Sequence, residues 1–566
     1  MDEKPQVHNR QKQGAGLSLL RGAAVLGAAA VVSKLIGTMQ KIPLQNLAGD
    51  GVFGIYNAVY PLYILILFLA TAGFPLVVSK FVSEQVAMGR AGEARRVLRV
   101  ATAILAVSGL IFFLLLYFGA DRIAFWMGAG QTSPAIRSVS FALLLVPVMS
   151  ALRGYYQGHQ NMLPTAVSQV VEQTVRVATM FSLLLLFMQW GYGPEWIAAG
   201  ATFGSVTGAV AGLGVMLYYW QKDRRAQRDG GLKGEDVGNG VHSTAARPAG
   251  GRESSWSLAR RLLAYALPLC LGSVALPILT LVDSFTIPRL LTDHGLGEAE
   301  ALYQFGLYNH GWPLVQLVAM IASSMSAALV PGIADALQKG DAAGVRRVAA
   351  FSLRITWLIG LAASVGMAVL AEPMNVMFYK SNDGSWAMAV LAFTALFSTL
   401  NIVASSVLQG LGAVTAPALY LLAAAAAKIA ANAALVPRWG IDGAAAAAVA
   451  AYALAGGLAL AHALRAAGIR PAPGRAVIKP MLGIGLMILG LLAVTRGLPP
   501  LLAALGAALP PRGLAVAVTL AGVAAGAAVY ALALLRAGVV TAAELERVPK
   551  LGRRALPLLR KLRLLP

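Results

Sequence analysis

The chain has 566 residues, 58% of them hydrophobic and 12% charged, with a formal net charge of +22. A soluble domain carries roughly 25% charged residues, so this composition excludes an ordinary soluble fold. One cysteine, Cys270 in an apolar run, excludes an intrachain disulfide; it reads as a small buried apolar residue.

Apolar runs of about 20 residues recur along the chain, each long enough to cross roughly 30 Å of hydrocarbon as a helix. Spanning segments must satisfy their own backbone, so the runs are helices, not strands. In chain order, a polar tail (1–17) resembles a cytoplasmic tail more than a cleaved signal. Six spans follow, at roughly 18–39, 53–79, 97–118, 138–155, 164–189 and 196–220. A polar, Gly-rich stretch opening QKDRRAQRDGG is a linker over 221–260. Six more spans run at roughly 261–284, 304–332, 349–371, 386–409, 413–436 and 442–464. Segment 466–537 holds the last two, roughly 477–495 and 513–535, before a basic tail (538–566). The tail's interleaved leucines suit either an inner-surface helix or a loosely bound basic segment.

With the N-terminus inside, about 35 of the basic residues fall on the inner side and about 8 on the outer. Clusters such as Arg95, Arg96 and Arg99, and Arg346 and Arg347, lie inside. The charge is therefore topological, attracts anionic lipid, and puts both termini in the cytoplasm. Nucleic acid is excluded as a partner, because no aromatics interleave with these clusters.

The two halves are copies. FGIYN at Phe53–Asn57 returns as FGLYN at Phe305–Asn309, an offset of 252. Pro61-Leu62 returns as Pro313-Leu314, Gln157-Gly158 as Gln409-Gly410, and Arg176 meets Lys428. Gly89, Arg95 and Arg96 return one residue out of register as Gly340, Arg346 and Arg347. Six spans per copy make the copies parallel. The expected fold is all-α and integral to the membrane: about 14 transmembrane helices, two parallel six-helix lobes (18–220 and 261–465) plus two C-terminal helices. Transporters of this kind bind substrate between the lobes.

Ionisable groups inside spans face a hydrated cavity or a partner. Lys34 and Lys428 have no acid nearby on their own helices and are read as cavity-facing. Glu172 and Arg176, four residues apart, either neutralise each other or line the cavity. Asp283 lies near a span end, with Arg289 beyond it; it is an interfacial cap, a partner for Lys428, or a ligand for a coupling cation. Several cations around one cavity suit an anionic head group such as a diphosphate. No paired carboxylates, metal-spaced histidines or phosphate loop stand out, so no catalytic or metal residues are assigned.

The segment LRGAAVLGAAAVVSKLIGTMQKIPLQNLAGDGVFGIYNAVYP resembles the opening of SpoVB/YtgP-type polysaccharide biosynthesis proteins. These are MurJ-like members of the multidrug/oligosaccharidyl-lipid/polysaccharide (MOP) exporter superfamily. RGYYQGHQNMLPTAVSQVVEQTVRV, LVDSFTIPRLL, YNHGWPLVQL and KIAANAALVPRWGIDGAAAA extend the resemblance from about residue 18 to about residue 540. It implies a V-shaped, MATE-like bundle working by alternating access in the bacterial plasma membrane. It also implies an undecaprenyl-linked glycan cargo, with lipid II leading, and no cofactor beyond coupling to membrane potential, H+ or Na+. Lys34 matches the basic residue of the family's first-helix motif, and Asp283 and Asn432 resemble positions near a cation site. Gln40-Lys41 departs from the Arg-Asp pair of the MurJ branch, and His310 stands where relatives often carry Arg, making that part of the cavity titratable. The alternatives are another MOP exporter for oligosaccharide-lipids or drugs, a glycan-processing membrane enzyme, or a scaffold recruiting wall-synthesis proteins.

Overall fold

The computed structural model describes residues 22, 24–71, 73–232, 254–470, 474–506 and 509–539. The N-terminal tail (1–17), most of the expected linker and nearly all of the basic tail lie outside the described residues. Among those described there is no strand. The helices are α1 (24–39), α2 (Lys41–Thr71), α3 (Phe74–Ala87), α4 (Ala91–Trp126), α5 (Ser133–Ser140), α6 (Val146–Gly158), α7 (Leu163–Gln189) and α8 (Pro194–Leu232). The second half holds α9 (Ser255–Asp293), α10 (Glu298–Tyr308), α11 (Trp312–Gln338), α12 (Ala342–Val369), α13 (Ala371–Tyr379), α14 (Ser385–Leu391), α15 (Thr394–Gly410) and α16 (Ala416–Ala466). It closes with α17 (Lys479–Ala504) and α18 (Pro511–Arg536).

Twelve helical stretches among the described residues are long and apolar enough to cross a membrane. Two of them, Ala24–Ala87 with 64 residues and Ala416–Ala466 with 51, exceed a single crossing at 1.5 Å per residue. Each is broken by a glycine in the left-handed region, Gly49 (φ 80°) and Gly440 (φ 55°). Counting each as two brings the total to the expected fourteen or so. The protein is a multi-pass helical membrane protein.

Three spans that the apolar pattern reads as continuous are interrupted. Phe141–Leu144 is a 3-10 turn between α5 and α6. Asn309–Gly311 is another between α10 and α11, and Pro313 opens the helix beyond it. The stretch at 386–409 is α14 and α15 in succession. Hydropathy sees only apolar content, so it passes over such breaks. They are tolerated where the freed backbone is buried and bonded; the Tyr379 hydroxyl donates to the His310 carbonyl at 3.0 Å. Conversely, α8 stays helical to Leu232, into the stretch expected as linker. Its Lys, Arg and Gln residues are good helix formers, and the Tyr156 hydroxyl donates to Asp223 at 2.8 Å.

The chain divides into two compact units that do not follow chain order. Unit 1 comprises residues 1–40 and 55–277; unit 2 comprises 41–54 and 278–566. Each is packed through glycines, because in lipid close van der Waals contact replaces the hydrophobic drive between helices. In unit 1, a Cβ on Gly158 of α6 would lie 2.7 Å from the Ser79 carbonyl and the Val82 side chain of α3. In unit 2, Gly410 of α15 meets Val330 and Ile333 of α11 in the same way. The repeat is thus a repeat of packing, not only of letters. On α8, Gly204, Gly208 and Gly212 let α7 approach; a Cβ on Gly208 would lie 2.7 Å from the Glu172 carbonyl.

The duplicated FG motif makes the tightest crossing, inside unit 2. A Cβ on Gly54 would sit 1.9 Å from the Leu302 carbonyl, and one on Gly306 2.1 Å from the Asp50 carbonyl. Gly306 follows Gly54 by the repeat offset, and Leu302 follows Asp50 by the same offset. The crossing is therefore reciprocal: each glycine seats the residue four places before the other.

Candidate functional site

Unit 1 carries a cationic network where α6, α7 and α8 meet. The glycines of α8 bring α7 close, and α6 supplies Arg153. One Arg153 Nη2 donates to Glu172 at 2.7 Å and to the Ser168 hydroxyl at 2.8 Å. Arg176 reaches the other Glu172 oxygen from Nη2 at 3.3 Å, the i, i+4 pair visible in the sequence. Two guanidinium groups thus share one carboxylate, leaving a net positive charge. Arg176 is 8% exposed, and its Nε has no hydrogen-bond partner. In the same unit, Gln40 Oε1 in the turn before α2, the Tyr63 hydroxyl on α2, and Gln169 Oε1 and Gln173 Nε2 on α7 are also buried without partners. Buried polar atoms are nearly always satisfied, so these hydrogen-bonding groups are available to a further partner. Tyr56, Tyr60 and Tyr63 lie within electrostatic reach of Arg176, and the Tyr56 and Tyr60 rings stack at 5.6 Å.

Lys34 sits on α1, one turn before Gly37, whose added Cβ would lie 3.0 Å from Gln173 Nε2. It is exposed and makes no ion pair or hydrogen bond among the described residues. An unpaired ammonium at mid-span is costly in hydrocarbon.

Unit 2 treats the matching position in the opposite way. Lys428 on α16 is 0% exposed, and its Nζ donates to Asp283 of α9 at 2.7 Å and to the Leu279 carbonyl at 3.3 Å. Asp283 also accepts from the Tyr308 hydroxyl at 2.7 Å and from Asn432 at 3.3 Å. Asn432 donates further to Thr286 at 2.7 Å. The ammonium lies 5.8 Å from the Trp312 ring centroid, a cation–π contact. This network is neutral and buried, its carboxylate shared among three donors, with Asn432 Oδ1 left without a partner. Of the choices open to Asp283, the structure shows the pairing with Lys428, and in this conformation Lys428 offers no free charge to a ligand.

The remaining predicted residues fall elsewhere. Arg289 is half-buried and pairs with Asp293 at 3.1 Å. His310, placed by the break after α10, is fully buried in unit 2. Its Nε2 lies 2.7 Å from Asp50 and its Nδ1 2.8 Å from Asn375 Oδ1. Arg153 and Asp50 are the members that sequence reasoning missed. Arg153 follows an apolar span within the distinctive RGYYQG stretch, which was a usable signal. Asp50 stands 260 residues from its partner, and no local pattern links them. No group of three or more His, Cys, Asp or Glu residues suited to a metal occurs among the described residues.

A helical bundle of two units with charges buried in the spans defines a transporter fold, and the comparisons agree. A solved inward-facing multidrug resistance MATE transporter of the MOP superfamily matches 77% of this chain and 94% of its own, with a TM-score of 0.62 at 14% identity. The family model described as polysaccharide biosynthesis protein matches residues 19–337, and the chain belongs to that family, on its MurJ-like branch. Membrane protein YabM of Bacillus subtilis is 32% identical over 530 residues, covering 94% of each chain. The lipid II flippase MurJ of the same organism is 30% identical over 446 residues, covering 75% of this chain and 79% of its own.

Proposed function

We propose that this protein is a flippase that moves an undecaprenyl-linked glycan, lipid II in the first instance, from the inner to the outer leaflet of the bacterial plasma membrane by alternating access, with both termini cytoplasmic. The observation that carries the reading is the net positive, incompletely bonded network of Arg153, Glu172 and Arg176, with unpaired Lys34 on the same unit. Planar guanidinium groups bind phosphate oxygens bidentately and a lysine adds a mobile point charge. A diphosphate entering there would satisfy the donors that now lack partners. MurJ, the relative at 30% identity, is a lipid II flippase by name, which supports a lipid-linked diphosphate over other anions. The driving force belongs to the same proposal: membrane potential, H+ or Na+.

The test is an accessibility assay in proteoliposomes, comparing labelled lipid II with other undecaprenyl-linked sugars. Wild type is expected to move lipid II, and Lys34→Ala and Arg176→Ala to move it at least about tenfold more slowly, the loss of one charge-assisted phosphate contact. Wild-type rates in both variants would remove the network from the cargo path. Preference for another lipid-linked sugar would reassign the cargo.

A further inference from the structure

Asp50 and His310 form the second buried ionisable pair of unit 2, and nothing above uses them. Asp50 is 7% exposed and His310 is not exposed at all. Hydrogen-bond logic fixes the ring's protons. The Asn375 amide nitrogen donates to the Asp383 carbonyl at 2.8 Å and to the Ser385 hydroxyl at 3.0 Å. Its oxygen is therefore the atom that meets His310 Nδ1, and Nδ1 must carry hydrogen. The other nitrogen, Nε2, faces a carboxylate oxygen at 2.7 Å. That contact needs a proton between the two atoms, whichever of them holds it. Without one, a ring lone pair would point at a carboxylate in a buried site, and the contact would be repulsive.

What this contact holds is a mechanical element. Asp50 directly follows Gly49, the left-handed break in α2, whose added Cβ would meet nothing within 4 Å. Before the break, Asn46 donates to the Phe378 carbonyl, and Leu44 is fully buried. After it, the Phe53 ring lies 6.0 Å from His310 and 6.2 Å from Tyr379. Tyr379 stacks flat on the His310 ring at 3.9 Å. The other ionisable groups around the pair are Tyr303 of α10 and Asp383, bonded to each other at 3.3 Å. Among these described neighbours no cation stands beside Asp50 except the ring itself.

We propose that Asp50 and His310 constitute a proton-binding site whose single exchangeable proton clasps the 41–54 segment to α13 and the turn before α11. With the proton bound, Asp50 and the ring attract and the segment is held. When a base in solution removes it, Asp50 keeps its negative charge, the ring becomes neutral at Nε2, and the segment swings at Gly49. The site works whatever cargo the protein carries.

Thiol labelling tests this directly. In a Cys270→Ser background, Leu44→Cys places one reporter in the held segment of the full chain, reconstituted in lipid nanodiscs. A water-soluble maleimide reads its release. Each rate is divided by that of an otherwise identical Asp50→Asn protein at the same pH, which cancels the thiol's own ionisation. The amide of an asparagine at 50 can donate to an unprotonated Nε2, so that contact needs no exchangeable proton. The ratio is expected to be near one at the acidic end of a pH series and to rise about tenfold or more toward its alkaline end. A ratio that stays flat overturns the proposal, as does a segment that is released with rising pH in both proteins. Nitrogen NMR of histidine-labelled protein, with His310 assigned by His310→Gln, gives a readout that does not depend on Asp50→Asn folding. While the reporter is protected, hydrogen must be found on Nδ1 and a proton between Nε2 and Asp50; a ring that has lost that proton while the segment is still held overturns it equally. Transport is not a readout, so failure of the flippase reading leaves this result unaffected.

Discussion

Arg176 and Lys428 occupy the same place in the two copies of the repeat, and their surroundings diverge. Each lies near a conserved pair of rings at the repeat offset, Tyr56 and Tyr60 for Arg176, Tyr308 and Trp312 for Lys428. In unit 2 an acid from α9 closes the site, and the cation is fully buried. The residue one offset before Asp283 is Val31, so unit 1 has no such acid, and the position matching Thr286 is Lys34. Unit 1 is left with surplus charge and unit 2 with a neutral pair; each network keeps buried polar atoms without partners, Arg176 Nε in the one and Asn432 Oδ1 in the other. One copy has kept its cation for packing, the other has kept it available.

The sharpest way to break this comparison is to remove the acids. Asp283→Ala leaves a buried ammonium without its counterion and is expected to cost about 3–5 kcal/mol, read as lost thermal stability in detergent and lower membrane levels. The double variant Asp283→Asn with Lys428→Met should recover most of that loss, because neutral packing often replaces a buried pair without penalty. Glu172→Gln in unit 1 should cost only about 1–2 kcal/mol, since an amide oxygen can still accept from the arginines and no buried charge loses its sole counterion without a substitute acceptor. A loss equal to that of Asp283→Ala would show unit 1 to be as closed as unit 2. The smallest effects come from the amides of the two networks. Asn432→Ala, which loses two bonds, should cost about 1–2 kcal/mol. Gln173→Met loses one long contact, its oxygen accepting from Arg176 Nη1 at 3.5 Å, and should cost less, under about 1 kcal/mol. Equal losses would show the Gln173 contact to be worth as much as both Asn432 bonds.

Much of this was legible in the residues. Hydropathy located the spans, and the 252-residue offset anticipated that Gly158 and Gly410, and Gly54 and Gly306, would do the same structural work. The Glu172–Arg176 pair was legible because its spacing is local to one helix. The breaks at Phe141–Leu144 and Asn309–Gly311 were not, because each lies within an apolar run that hydropathy averages over. The Asp50–His310 contact was hidden for another reason. Asp50 lies between two expected spans and reads as a loop acid, and only the glycine crossing brings it to α11. Arg289 stands six residues beyond Asp283 in sequence, and its side chain pairs with Asp293, one turn further along the helix.

The reciprocal seating of Gly54 and Gly306 bears on how such a chain could arise. Two separate copies of a half-length ancestor, joined as a symmetric dimer, would meet through the same self-complementary crossing. Any side chain placed at that joint would then occur twice, so an acid there would bring its own mirror image with it. Fusion of the halves into one gene removes that constraint. It allows Asp50 on one side with Leu302 opposite, and His310 on one side with Ala58 opposite, so that a single titratable contact can exist at a joint whose geometry is still that of a dimer.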